Sequence, residues 1–248
     1  MLQYSIYYNT RILKSQINNK AYRNFFMATI PFGGILLGSI AAPIVAFSDV
    51  GEDWRTRLTV NTDLLGGPVL SPLAAGKGII FPYTPTLFVQ HNAAYGAAGL
   101  THTNYDHPTF ESHQIGSIQI TGQFTANSSA EADYLRGVLH FLRTVTKMFF
   151  GQDAEPVAGT PPPVLRLNAS GDYIFSNVPV VVESFSMELP SSVDYIRTSD
   201  GKTMIPSSTT VTITAKPTYS RKATSKRFGL KKFASGGLLG SDSEGGFI

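Results

Sequence analysis

His102, Asp106, His107 and His113 fall close together in this chain. Imidazole and carboxylate groups are metal ligands, so the cluster is the first candidate for chemistry. No HExxH pattern accompanies it, and the chain has no cysteine to complete a zinc set. A metal site is defined by ligand geometry rather than nearness in sequence. The four residues therefore read as common loop residues. His91 has no evident partner, and His140 falls on the less buried side of a helical pattern. The segment AAGKG at 74–78 has a phosphate-loop flavour. A Walker loop needs glycine at its first position and Ser or Thr after the lysine. Ser71 and Gly78 occupy those places, so the match fails and a packed turn is expected. Glu111, Glu131, Glu155, Glu183 and Glu188 form no recognisable carboxylate pair, and no GxSxG nucleophile motif occurs. The expectation is a non-enzymatic chain without cofactor or metal.

What remains is chemistry of contact. From Lys216 to Lys232 the chain carries Lys216, Arg221, Lys222, Lys226, Arg227, Lys231 and Lys232 with no acidic residue between them. Tyr219, Phe228 and Phe233 interleave with these charges. Such a segment suits stacking on nucleic acid or anchoring in the pockets of an acidic protein surface; a solvated end is the third possibility. These ten residues are the candidate partner contacts. A second set is neutral. Gln119, Thr121 and Gln123 share one face of an alternating segment, and Thr210, Thr212 and Thr214 share one face of another. These six are candidates for lining a polar lumen.

The elements that position both sets follow from periodicity. Charged residues make up 15% of the 248-residue chain, against about 25% in an average soluble domain. So neutral a surface suits burial against partners. The net charge of +3 does not by itself imply nucleic-acid binding. Residues 53–60 alternate, with Thr56, Leu58 and Val60 on one face, and predict a strand. Residues 61–77 read as loop. Residues 78–90 are apolar but carry Pro82 and Pro85, which predicts a broken or edge strand. Residues 91–109 read as a long Gly/Ala/Asn/His-rich loop, ordered by function or by a partner. Residues 113–126 alternate, with Ile118, Ile120 and Phe124 together. Ser128 and Glu131 match a capping box. Tyr134, Leu135, Val138, Leu139, Leu142, Val145 and Phe149 then form one helical face, which predicts a helix over about 129–150 closed by Gly151. Ala169-Ser170-Gly171 predicts a turn between strands 164–168 and 172–175. Strands are expected over 178–189, with Phe185, Met187 and Leu189 on one face, and over 209–215. The chain divides into an N-terminal arm 1–50, a β domain 51–218, and a basic then Gly/Ser-rich C-terminal arm 219–248.

Residues 30–47, IPFGGILLGSIAAPIVAF, superficially match a signal or membrane segment. Two prolines and three glycines interrupt them. The expectation is an arm buried against protein, with Met27 a second candidate start.

From about Asp53 to the last residue the chain resembles the tail-tube initiator or tube-adaptor proteins of contractile-tailed bacteriophages. The resemblance lies in IIFPYTPTLFVQHNAAY at 79–95, THTNYDHPTFESHQIGSIQITGQFTA at 101–126, FLRTVTKMFFG at 141–151, GTPPPVLRLN at 159–168 and NVPVVVESFSMELPSSVDYI at 177–196. It implies a mainly β fold with one α-helix: a tail-tube-like antiparallel β-sandwich or barrel with a flanking helix and extended terminal arms. It implies a homo-hexameric ring that joins the baseplate hub proteins to the tail tube protein and starts tube polymerisation. The tape-measure protein and, transiently, DNA would occupy the channel. The chain would belong to the virion and be assembled in the host cytoplasm. Other readings are the repeating tail tube protein, a tail-associated peptidoglycan hydrolase, and a membrane-anchored binding protein resting on residues 30–47.

Overall fold

The computed structural model describes residues 54–60, 62–99, 101–102, 104–150, 159–171, 173–241 and 244–248. The expectations for the arm 1–50, for residues 30–47 and for Gly151 lie outside them. Among the described residues, eleven strands form one large sheet and two small ones. They are β1 (Arg57–Thr59), β2 (Gly78–Ile80), β3 (Thr86–Phe88), β4 (His91–Ala98), β5 (His107–Ile115), β6 (Ile118–Thr125), β7 (Leu165–Ala169), β8 (Phe175–Met187), β9 (Tyr195–Arg197), β10 (Met204–Pro206) and β11 (Ser208–Pro217). The seven-stranded sheet runs β2-β1-β7-β8-β11-β6-β3, with every pairing antiparallel. Its two end strands, β2 and β3, do not meet. Among the described residues this is an open antiparallel sheet, and the closed form of the barrel that the resemblance implies is not found.

The segment 78–90 supplies both ends of this sheet. Pro82 and Pro85 lie between β2 and β3, where the chain leaves one edge and reaches the other. A residue without an N–H is tolerated there. Residues 74–78 form the packed turn into β2. Lys77 and Gly78 both have positive φ, and a Cβ on Gly78 would lie 2.1 Å from the Leu58 carbonyl oxygen. The rest of 61–77 is less loop-like than its composition suggests. It holds a 3-10 turn (Thr62–Leu65) and a short helix α1 (Ser71–Ala74) that buries Leu73.

One face of the sheet is apolar and covered. Leu58, Ile79, Ile118, Ile120, Leu165, Leu167, Val178, Val180, Val211 and Ile213 are buried there, against helix α2 (Ser129–Val145). The helix contributes Ala132, Leu135, Val138, Phe141, Leu142 and Val145, which fall at helical spacing. Its start is the predicted capping box: the Glu131 N–H donates to Ser128 Oγ at 3.3 Å, and the Asn127 N–H donates to Glu131 Oε2 at 2.7 Å. Its end differs from expectation. The helix stops at Val145, not near 150, and Phe149 does not continue its face. The Thr144 and Thr146 hydroxyls donate to carbonyls of the last turn, and Phe149 instead exchanges backbone bonds with Gly159 and Thr160. β-Branched residues with back-bonding hydroxyls weaken a helix end.

Strand β8 shows why both of its halves bury apolar residues. Val178, Val180 and Val182 have one parity; Phe185 and Met187 have the other. A β-bulge at Glu183 shifts the register between Thr214 and Ala215 of β11, and the phase changes there.

Two side-chain devices lock α2 to its neighbours. The Tyr134 hydroxyl accepts from the Ile80 N–H at 2.9 Å and donates to the Ile80 carbonyl at 2.9 Å. It thus satisfies outward backbone groups of edge strand β2, which blunts that edge. On the opposite side of α2, Arg136 pairs with Asp133 at 3.1 Å and with Asp200. Asp133 also receives the Ser199 hydroxyl and N–H. This network holds the β9–β10 hairpin on the helix. The Thr198 hydroxyl, the Lys202 N–H and Arg136 pull the Asp200 carboxyl down to about 2.

Replacing Tyr134 by Phe keeps the ring and removes both bonds to Ile80. Chemical denaturation is expected to show a loss of about 1–3 kcal/mol. Leu142→Ala, within the core, is expected to cost about 2–5 kcal/mol.

Candidate functional site

The six neutral residues singled out by alternation come together. The ladder between β6 and β11 places Thr210 opposite Gln123, Thr212 opposite Thr121 and Thr214 opposite Gln119. They form three cross-strand pairs on the face away from α2. The Thr121 and Thr212 hydroxyls lie 3.3 Å apart, and Gln123 Nε2 donates to Ser208 Oγ at 3.0 Å. The face extends beyond the nominated residues. On β8, Ser186 lies opposite Thr212 and Ser184 opposite Thr214. On β3, Thr86 lies opposite Thr121 and Phe88 opposite Gln119. Four strands, β8-β11-β6-β3, thus present one neutral surface, of hydroxyls and amides with the exposed Phe88 ring on β3. Ionisable groups sit at its margin: Glu183 accepts from Ser117 Oγ at 2.5 Å and lies 3.9 Å from Lys216 Nζ.

This four-stranded patch has two open edges. β3 is the last strand of its side. At the other end, β7 pairs only with the first half of β8, from Phe175 to Val180. Among the described residues, no strand pairs with Val181–Met187 on the side away from β11. Open edges carry unpaired N–H and C=O groups that template pairing with another chain.

Between β3 and β6 the chain departs from the sheet. Residues 91–109, expected as loop, fall largely within a hairpin of β4 and β5. The segment 113–126 is accordingly two strands, divided at Gly116 and Ser117. Nearly every hairpin residue is exposed on both faces. Period-2 patterning records burial of one face, and neither face is buried here. Tyr95 meets Phe110 edge-on at 5.7 Å, and His91 stacks on His113 at 5.7 Å. The stacked pair gives His91 the partner its sequence did not reveal. Among the described residues no group of three His, Asp or Glu side chains could hold a metal ion. His140 is exposed on α2.

The basic segment is not an extended arm. It forms helices α3 (Arg221–Arg227) and α4 (Leu230–Ala234) and folds back over the outer face of β7 and β8 as a strap. Gly240 and Gly246 bring its backbone against the Ser176 carbonyl; a Cβ on either would lie 2.3 and 2.2 Å from that oxygen. Asn177 Nδ2 donates to the Glu244 carbonyl at 3.3 Å. Phe247 is the knot. Tyr219 stacks on it at 4.8 Å, Phe228 tilts against it at 5.6 Å, and the Arg227 guanidinium lies 5.5 Å from its ring centre. Arg227 also pairs with Glu244 at 3.2 Å and donates to the Gly245 carbonyl at 3.0 Å. Tyr219, Arg227 and Phe228 are therefore committed within the chain, and Phe233 packs on Phe228 at 6.0 Å. Arg221, Lys222, Lys226, Lys231 and Lys232 remain exposed. Compositional reading missed this because a Gly/Ser-rich run looks like linker; its glycines mark close backbone approach instead.

No family model matches the chain, and no curated protein sequence matches it. No helix among the described residues is long and apolar enough to cross a membrane.

Burial pushes the Tyr219 hydroxyl from its ordinary 10.0 up to about 12, against the smaller downward pull of the Ile248 N–H that donates to it. A value raised in the folded chain stabilises that chain fully below the unfolded value, and the contribution is lost as pH rises through the folded one. Unfolding midpoints are expected to fall between about pH 10 and 12. Tyr219→Phe is expected to flatten that fall, measured by urea unfolding across the same range.

Proposed function

We propose that this chain is a structural subunit of a contractile bacteriophage tail, forming a hexameric ring that links the baseplate hub to the tail tube and starts tube polymerisation. The observation that carries the reading is the neutral four-stranded face with an open strand edge on each side. Joined edge to edge, β3 of one subunit beside the second half of β8 of the next, such patches make a continuous wall. A heterologous contact of this kind closes into a ring when its rotation closes. Closure also removes the exposed edges.

The chemistry of the face suits a channel for DNA. Duplex DNA carries one negative charge per about 1.7 Å of axis. A wall of Lys or Arg would hold it; a wall of Asp or Glu would repel it. Thr, Ser and Gln bind water and present no fixed charge, so DNA and the tape-measure protein would pass without being gripped. The α2 layer would face outward, away from the lumen. The projecting β4–β5 hairpin adds surface for the layers above and below, the hub proteins and the tube protein. A lone two-stranded ribbon is marginal in water, so it gains order from such contacts.

The absence of cysteine makes the test clean. Thr86→Cys with Ser186→Cys places one thiol on each open edge. Mild oxidation is expected to give a ladder of disulfide-linked species ending at the hexamer of the 26.8 kDa subunit, and each single variant to stop at a dimer or monomer. A chain that stays monomeric by mass photometry at every concentration tested, with no ladder, contradicts the ring.

A further inference from the structure

We propose that the cavity between α3 and the outer face of β7 and β8 binds an acidic, apolar-flanked peptide segment of a partner protein. The cavity has a volume of about 680 Å³ and is walled by β7, β8, α3 and the returning strap. Its cations are Arg166, Lys222, Lys226 and Arg227; its one carboxylate is Glu244. Arg227 and Glu244 pair with each other at 3.2 Å. That leaves Arg166 from the sheet facing the two lysines from the helix. Arg166 reaches a neutral acceptor, the Asn177 carbonyl, at 3.5 Å. No carboxylate among the described residues pairs with Lys222 or Lys226. The two lysines stand one turn apart on α3, so their ammonium groups serve the same side.

Charge complementarity names the occupant's acidic part; the walls name the rest. Val164, Pro179, Ala223 and the Phe247 ring line the same cavity. Val164 is half exposed. Cations beside apolar wall fit a segment that alternates a carboxylate with an aliphatic side chain. A guanidinium fork and ammonium groups recognise carboxylates by charge-assisted bonds. Nucleic acid fits less well. It needs a track of charge along a groove with stacking faces, and here the cationic side chains converge on one pocket whose aromatic ring is already stacked on Tyr219. The proposal is independent of the ring reading, since it rests on one subunit's surface.

The test uses the full chain. A fluorescein-labelled peptide of repeating Glu-Leu-Gly is titrated with the protein and followed by anisotropy. Saturable binding that weakens with salt is expected. Lys222→Ala with Lys226→Ala is expected to weaken it about tenfold or more, whereas Lys231→Ala with Lys232→Ala, equal in charge but outside the cavity, leaves it within about twofold. Phe247→Leu is expected to weaken the Glu-Leu-Gly peptide more than a Glu-Gly peptide, which reads the apolar wall. All substituted lysines are exposed, and unchanged thermal unfolding of both double variants confirms that they fold. Equal loss in both lysine pairs would show diffuse attraction and overturn the proposal. So would tighter binding of an oligothymidylate of equal charge, or full displacement of the peptide by millimolar inorganic phosphate.

Discussion

The register of β6 against β11 is the constraint on which the rest depends. Eight consecutive residue pairs, from Ser208 opposite Thr125 to Ala215 opposite Ile118, alternate between pairs buried toward α2 and polar pairs of hydroxyls and amides on the other face. Side chains alternate strictly along a strand, so a slip of one residue would turn the wrong set toward α2. Burial of Ile118, Ile120, Phe124, Val211 and Ile213 enforces the correct pairing, each side chain contributing about 1.5–3 kcal/mol when fully buried. The neutral outer face is the necessary complement of that burial. One pattern therefore makes both the core and the surface proposed for assembly.

The same logic explains the treatment of edges. Tyr134 closes the β2 edge with its hydroxyl, while β3 and the second half of β8 keep theirs open. The strap covers the first half of β8 and stops short of the open half. Its contacts with Ser176, Asn177, Pro179 and Arg166 all lie on the side where β7 already pairs. Covered, capped and open backbone thus follow one another along a single sheet. The bulge at Glu183 lies where covered strand gives way to open strand, and there the buried parity changes.

Much of this was legible in the residues. Alternation located β1, β6 and β11, and it selected the six polar residues that the ladder pairs. Pro82 and Pro85 announced edge strands. The Ser128–Glu131 cap and the apolar spacing announced α2. Other parts were hidden for physical reasons. The β4–β5 hairpin has no buried face, so no periodicity marks it. The phase change in β8 follows from a bulge that only pairing with β11 defines. Phe149 continues the helical spacing past the true end, because spacing does not register hydroxyls competing for the last carbonyls. The strap's docking depends on its fit to Ser176 and Pro179, which its composition does not encode; Gly240 and Gly246 were its faint signal. The basic residues read as one set divide in space, with Arg227 held inside the strap and Lys222 and Lys226 left at a cavity.

The central claim concerns edges and the face between them. A cryo-electron microscopy reconstruction of the assembled protein tests it most directly. The account predicts a closed ring in which β3 of each subunit hydrogen-bonds the second half of β8 of the next, with Thr121 and Thr212 facing the lumen. A particle in which that face lies on the outside, or is buried against another protein layer, would contradict it.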